Sequence, residues 1–273
     1  MKKGIRGHDV SVTGLCNICK RCKELDIGYL QLVLEKSIVG FESGKFTEEY
    51  ANSIKEQLGD MEIAVLGSYI NPSNPDDELL NADIEKFKEK IRYASVLKPI
   101  VVGTETGRYM DGLTDSEEAY QRVLKTFKEL VPYAEESGVN IGIEGVHCFV
   151  INTPEKMKRL LNDLDYDNVK VIFDPVNLLN INNYQNQDDI ITETFDLLAD
   201  KICVLHAKDF KVENGNFTST KLTEGLLNFK LIFEKLKEHN LDIPIICEEI
   251  DEEIAAVAFG NMGKHRKDCL IKG

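Results

Sequence analysis

The chain has 273 residues, 42% hydrophobic and 29% charged, a composition ordinary for a globular protein with ample material for a core. Its 33 Lys and Arg against 47 Asp and Glu give a formal net charge of −14, which repels phosphate backbones and anionic headgroups, so the expected partners include no nucleic acid and no membrane. No apolar run approaches the roughly 20 residues that span a bilayer, and Met1-Lys2-Lys3-Gly4 leads into no signal-type segment, so a cytoplasmic location is expected.

Short apolar runs alternate with amphipathic stretches from end to end. The strand-like runs are 4–8, 27–34, 62–68, 99–104, 139–144, 169–174, 202–206 and 243–248. They are rich in Ile and Val on consecutive positions, as parallel strands buried on both faces require. After the first comes Cys16, Cys19 and Cys22, spaced C-x2-C-x2-C. An iron–sulfur site needs a fourth thiolate nearby, and none follows within about 120 residues. The three therefore read as small, mostly buried residues on one side of a helix, and the odd total of seven cysteines reads as reduced thiols. Gly59 and Gly138 close helices. Asn71-Pro72-Ser73-Asn74-Pro75 reads as an ordered loop over the site, and Thr114-Asp115-Ser116-Glu117 has capping-box spacing. Thr153-Pro154 starts a helix whose Met157, Leu160, Leu161 and Leu164 share a face, as do Phe229, Ile232, Phe233 and Leu236 later.

Eight strand–helix units of about 34 residues each are a normal size for the βα unit. No linker or composition break divides them. A single (β/α)8 barrel over residues 1–273 accounts for eight units better than a doubly wound open sheet, which does not require that number.

In such barrels the active site forms at the carboxyl ends of the strands. The expected strands end on His8, Glu35, Ser68, Thr104 with Glu105, Glu144, Asp174, His206 and Glu248. The last four each follow an uninterrupted apolar run. Three carboxylates and an imidazole at one end of a barrel concentrate negative charge that a divalent cation would offset, and an O,O,O,N set suits Mn²⁺, Mg²⁺, Co²⁺ or Zn²⁺. Glu249 is the rival to Glu248, but strand alternation sends the two to opposite faces. Lys208, two positions after His206, shares its face and reads as a substrate contact. His8, Glu105 and His147 are further candidates to touch substrate.

Ile143-Glu144…His147, Phe173-Asp174-Pro175-Val176-Asn177, His206-Ala207-Lys208-Asp209, Glu224-Gly225-Leu226-Leu227-Asn228-Phe229 and Pro244-Ile245-Ile246-Cys247-Glu248 together resemble the sugar isomerase/epimerase superfamily of xylose isomerase-like TIM barrels. That resemblance implies Glu144, Asp174, His206 and Glu248 as metal ligands, with Glu144 and Glu248 doubling as the acid/base pair. It implies proton transfer beside the carbonyl of a keto-sugar or polyol ketone through an enediolate. Epimerisation, isomerisation and an inosose-type dehydration share such a site, as does a non-catalytic metal- or sugar-binding barrel. The superfamily usually carries His four residues into its D-x-x-H motif; this chain has Asn177, a substrate-binding candidate that can donate a hydrogen bond but cannot titrate between pH 5 and 8. Abasic-site endonucleases of the superfamily need additional histidines where this chain has Glu35 and Ser68. The substrate is expected to lack a phosphate, and the oligomeric state, a homo-oligomer included, is left open.

Overall fold

The computed structural model describes the backbone of residues 1–271 and the side chains of residues 1–264. Its elements run β1 (Lys2–Arg6), α1 (Leu15–Glu24), β2 (Tyr29–Leu32), α2 (Leu34–Ser37), α3 (Glu48–Leu58), β3 (Glu62–Gly67), α4 (Asp77–Leu97), β4 (Val101–Glu105), α5 (Glu117–Glu136) and β5 (Ile141–Glu144). They continue with α6 (Pro154–Leu164), β6 (Val169–Phe173), α7 (Gln187–Leu198), β7 (Ile202–Ala207), β8 (Asp209–Glu213), β9 (Asn216–Thr220), α8 (Phe229–Glu238), β10 (Pro244–Cys247) and α9 (Glu252–Ile271). All strands but β8 and β9 pair in parallel in the order β1-β10-β7-β6-β5-β4-β3-β2, and β2 returns to β1 to close the barrel. This is the (β/α)8 barrel that the alternation of runs requires.

Consecutive apolar residues are needed because each strand is buried on both faces. Outward-facing Leu30, Val102, Ile143, Val171, Leu205 and Ile245 pack beneath the helices. Inward-facing Val65, Val101, Ile172, Val204 and Ile246, with Ala64, fill the lumen. The bulk of Ile172 is admitted by glycines on the neighbouring strands: a Cβ at Gly103 would lie 2.9 Å from its Cδ1, and one at Gly142 3.0 Å.

The helices begin where polar caps allow. Thr153 accepts from the backbone N–H of Lys156, and Pro154 occupies the first turn of α6, where no donor is missed. The start of α5 lies two residues beyond the expected cap: Ser116 accepts from Ala119, because the Thr114 hydroxyl is already taken by Tyr109 N–H and the Met110 carbonyl. Gly59 ends α3 at φ 58°, and Gly138 follows α5 at φ 65°. On α1, Cys19 and Cys22 are buried while Cys16 faces solvent, and burial pushes the Cys19 and Cys22 thiols up, to about 11 and about 12. Glu252, at the start of α9, accepts from both the backbone N–H and the hydroxyl of Ser11 and from Arg21, joining the last helix to the first βα unit.

The strands near the amino terminus stop earlier than their apolar runs suggest. β1 ends at Arg6, and His8 sits in a 3-10 turn over Gly7–Asp9. β2 ends at Leu32; Glu35 lies on α2 and pairs with Lys90 of α4 at 2.5 Å, away from the strand end expected for it. The antiparallel β8–β9 hairpin, with Asp209 opposite Thr220, is an insertion that alternation alone did not reveal. Among the described residues no helix is long and apolar enough to cross a membrane.

Candidate metal and active site

Above the apolar floor of the lumen, the next inward-facing position of each strand opens toward solvent. Strand by strand these positions carry Arg6, Gln31, Gly67, Glu105, Glu144, Asp174, His206 and Glu248, with Lys208 two residues beyond His206. Glu105 and Glu144 are directly paired in register. Apart from Gly67, each is the point where an apolar run gives way to a polar side chain; most of these are nonetheless buried, so they must satisfy one another.

Ligand atoms of Glu144, Asp174 and His206 all lie within 4.8 Å of one another, and all three residues are buried. His206 Nδ1 is 3.3 Å from Glu144 Oε2 and 3.4 Å from Glu248 Oε1. Glu248, outside the 4.8 Å group, joins through that contact and through Lys208. The Lys208 ammonium lies 3.0 Å from Asp174 Oδ2 and 3.2 Å from Glu248 Oε2, and it donates to Asn177 Oδ1 at 3.0 Å. Asn177 also donates through Nδ2 to Glu144 Oε1 at 2.5 Å and through its backbone N–H to Asp174 Oδ1 at 3.0 Å.

Electrostatics follow from this crowding. Burial pushes the Glu105 carboxyl up to about 7, and Glu144 adds to the shift. Burial also raises Asp174, with Lys208 opposing. For Glu248 burial again works upward, but His206, Lys208 and Arg6 together hold it down at about 2. Burial would lower His206; Glu248 and Glu144 outweigh it and raise the imidazole to about 9.

The donor set could hold a divalent cation. His206 Nε2, on a fully buried ring, has no hydrogen-bond partner, and Nδ1 meets only the carboxylate oxygens of Glu144 and Glu248 at 3.3 and 3.4 Å. Buried polar atoms are nearly always satisfied, and an imidazole nitrogen facing carboxylate oxygens of separate strands is suited to share an ion with them. Lys208 and, without an ion, the proton that Glu248 and Glu144 hold on His206 offset two of the three carboxylate charges; a divalent cation would take the place of that proton and offset the rest.

The remaining sequence candidates lie at differing distances from this cluster. Glu105 is half-buried within its field. His8 stands at the rim with Nε2 4.0 Å from Asp9 Oδ1; burial lowers its pKa against the pull of Asp9. His147 is exposed, and its backbone N–H donates to the Asn177 carbonyl at 2.7 Å, with Nδ1 3.2 Å from the same oxygen. The 71–75 loop is fixed against α5: Ser73 is fully buried, and the Pro72 carbonyl accepts from Thr126. Glu249 points away from the lumen and accepts from Ser219 of β9; its φ of 57° is held by its N–H bond to Asp9.

Arg6, Gln31 and Tyr69 were not singled out from sequence. Arg6 and Gln31 have the same strand parity as His8 and Glu35, so extending β1 and β2 too far shifted the expected mouth residue by one and two inward positions. Arg6 grips Asp9 with Nε at 2.7 Å and Nη2 at 3.1 Å. A cavity of about 300 Å³ adjoins the cluster between the β8–β9 hairpin and the segment after β10, lined by Lys208, Glu248, Ser219, Thr220, Lys221 and Asp251 among others.

A family model described as xylose isomerase-like TIM barrel matches residues 11–267. An uncharacterized protein of Methanocaldococcus jannaschii is 29% identical over 187 residues, 66% of this chain; the match spans 61% of that protein's own length. The inosose dehydratase of Glaesserella parasuis is 22% identical over 264 residues, 87% of each chain. Among solved structures, a D-tagatose 3-epimerase-like protein superposes with a TM-score of 0.80 at 21% identity, covering 100% of this chain and 99% of that one. An IolI protein with a bound zinc atom superposes at 0.74 and 17% identity over 100% and 97%. At these identities the structural likeness is one of fold.

Proposed function

The chain belongs to the xylose isomerase-like TIM barrel family, and from that premise we propose that it is a divalent-metal-dependent sugar isomerase or epimerase acting on an unphosphorylated keto-sugar or related hydroxy-ketone. The observation that carries the reading is the convergence of Glu144, Asp174 and His206 within 4.8 Å at the mouth, with the His206 ring fully buried and its Nδ1 facing the carboxylates of Glu144 and Glu248. Glu144, Asp174, His206 and Glu248 would hold the ion. When bound there, Mn²⁺, Mg²⁺, Co²⁺ or Zn²⁺ supplies Lewis acidity that polarises a ketone and offsets the charge of the enediolate.

Glu144 and Glu248 act as the proton-transferring pair. They stand on β5 and β10, three places apart around an eight-stranded ring, so their carboxylates approach the mouth from well-separated directions. One removes the proton beside the carbonyl and the other returns one, either to the opposite face or to the neighbouring carbon. Asn177 holds Glu144 Oε1, leaving Oε2 toward His206. Lys208, Glu105, His8 and His147 line the approach as substrate contacts. The cavity beside Lys208 has the size of a small-molecule site.

A second reading, dehydration of an inosose-type ketone by the same pair, is favoured by the G. parasuis dehydratase that aligns over 87% of this chain. It predicts loss of water and a new ultraviolet absorbance; epimerisation predicts neither.

In deuterated buffer with Mn²⁺, the protein is expected to wash deuterium into the carbon next to the carbonyl of a ketose. Glu144→Gln and Glu248→Gln should each slow that exchange at least about a hundredfold, the usual worth of a general acid or base, with circular dichroism unchanged. Full turnover in either variant would exclude its carboxylate from proton transfer. Absence of exchange with D-fructose, D-tagatose and an inosose alike would overturn the enzyme reading and leave a binding barrel.

A further inference from the structure

Gln31 and Tyr69 form a polar pair at the mouth that the proton-transfer scheme leaves unused. Gln31 points into the lumen from β2 and is 1% exposed; its Nε2 donates to the Tyr69 hydroxyl at 2.5 Å, and its Oε1 is buried without a partner. Tyr69 follows β3. Its ring folds back over the strand end so closely that a Cβ on Gly67 would lie 2.9 Å from its Cε2. Although 42% of the residue reaches solvent, its hydroxyl lies inward. Burial first, then the carboxylates of Glu144, Glu248 and Glu105, push the phenol well above its ordinary pKa, so it keeps its proton.

A phenol that accepts from an amide still has one hydrogen to give, and among the described residues that hydrogen has no acceptor. Turning the Gln31 amide over changes which atom is left: Tyr69 would then donate to Oε1, and both amide hydrogens would be free. In either orientation the pair keeps an unspent donor beside the cluster. Its position around the ring gives that donor a direction. β3 is four places from β7, directly opposite, so Tyr69 and Lys208 follow strands on opposite sides of the mouth.

We propose that the Gln31–Tyr69 pair is a substrate-recognising donor, which hydrogen-bonds an oxygen of a polyhydroxy-ketone at the end remote from Lys208 and so fixes how the molecule lies between Glu144 and Glu248. This rests on the sugar isomerase or epimerase reading above. The pair is a positioning element and takes no part in proton transfer.

Deuterium wash-in from D₂O, followed with D-fructose, D-tagatose and an inosose, tests it together with calorimetric titration of Mn²⁺. Tyr69→Phe removes only the hydroxyl. It is expected to raise KM about tenfold, the loss of one neutral hydrogen bond, with a smaller change in kcat and unaltered Mn²⁺ affinity. Gln31→Leu should act in the same direction, and Gln31→Leu/Tyr69→Phe should be little worse than the more severe of its two single substitutions, because the pair works as a unit. Tyr69→Phe with wild-type KM on every ketose that wild type turns over would overturn the inference alone. A loss of Mn²⁺ affinity equal to the loss of kcat/KM would overturn it too, by assigning Tyr69 a structural role. Wild type without exchange on any of the three ketones would overturn the underlying reading, and this inference with it.

Discussion

Asn177 makes four connections, the first two of which no hydrophobic side chain could replace: Nδ2 to Glu144, Oδ1 from Lys208, backbone N–H to Asp174, and backbone carbonyl to the N–H of His147. A carboxamide carries donor and acceptor at every pH, so both side-chain bonds keep their sense; an imidazole in its place would exchange one of them as it titrated. Groups that hold ligands in orientation are worth roughly ten- to hundredfold in metal affinity. Asn177→Ala should weaken Mn²⁺ binding by that order in calorimetry, while His147→Ala, whose contacts to Asn177 run through an exposed side chain and a retained backbone N–H, should change it little. Equal affinities in Asn177→Ala and wild type would mean that Glu144 needs no help to stay in place.

At the scale of elements, the β8–β9 hairpin and the turn after it are anchored by one carboxylate. Asp209 accepts from the backbone N–H groups of Phe210, Gly225 and Leu227 at 2.8, 2.9 and 3.0 Å. Gly225 can approach only because it has no side chain: a Cβ would sit 2.2 Å from Asp209 Oδ1 and 2.4 Å from the Phe210 carbonyl. Gly225→Ala should therefore destabilise by about 1–3 kcal/mol, the range for overpacking, read as a lowered urea midpoint; an unchanged midpoint would show that the turn relaxes freely. The apolar runs on β5, β6, β7 and β10 end within one residue of the polar side chains they deliver, and for that reason Glu144, Asp174, His206 and Glu248 were legible from sequence. On β2 the run continues through Val33 and Leu34, which pack in the core beyond the last strand residue, so hydrophobicity marked burial but not where the ladder stops, and Gln31 was hidden by that difference. On β1 the run extends past Arg6 through Gly7 and His8, which belong to a 3-10 turn, and this hid Arg6. Tyr69 was hidden because its role depends on a ring folding back over Gly67. The hairpin was hidden because its strands are short and only β8 alternates, with Phe210 and Val212 between Asp209, Lys211 and Glu213.

For the molecule as a whole, the question is how a chain of net charge −14 tolerates three buried carboxylates at one end of its barrel. Lys208 bridges two of them and Arg6 adds its field to Glu248, so the barrel is expected to fold without a metal. Treatment with a chelator should leave far-ultraviolet circular dichroism intact. Mn²⁺ at about a hundred times its Kd should then add about 2.7 kcal/mol, which raises Tm by roughly 5 °C. Superimposable melting curves with and without Mn²⁺ would argue against a cation in the cluster. The lumen beneath the cluster bears on traffic. Ile172, Val204 and Ile246 meet over the axis with Val65 and Val101, so the barrel is a stoppered vessel rather than a tube. Any small molecule that reaches Glu144 and Glu248 does so from one end, and must leave through that same opening before another can enter.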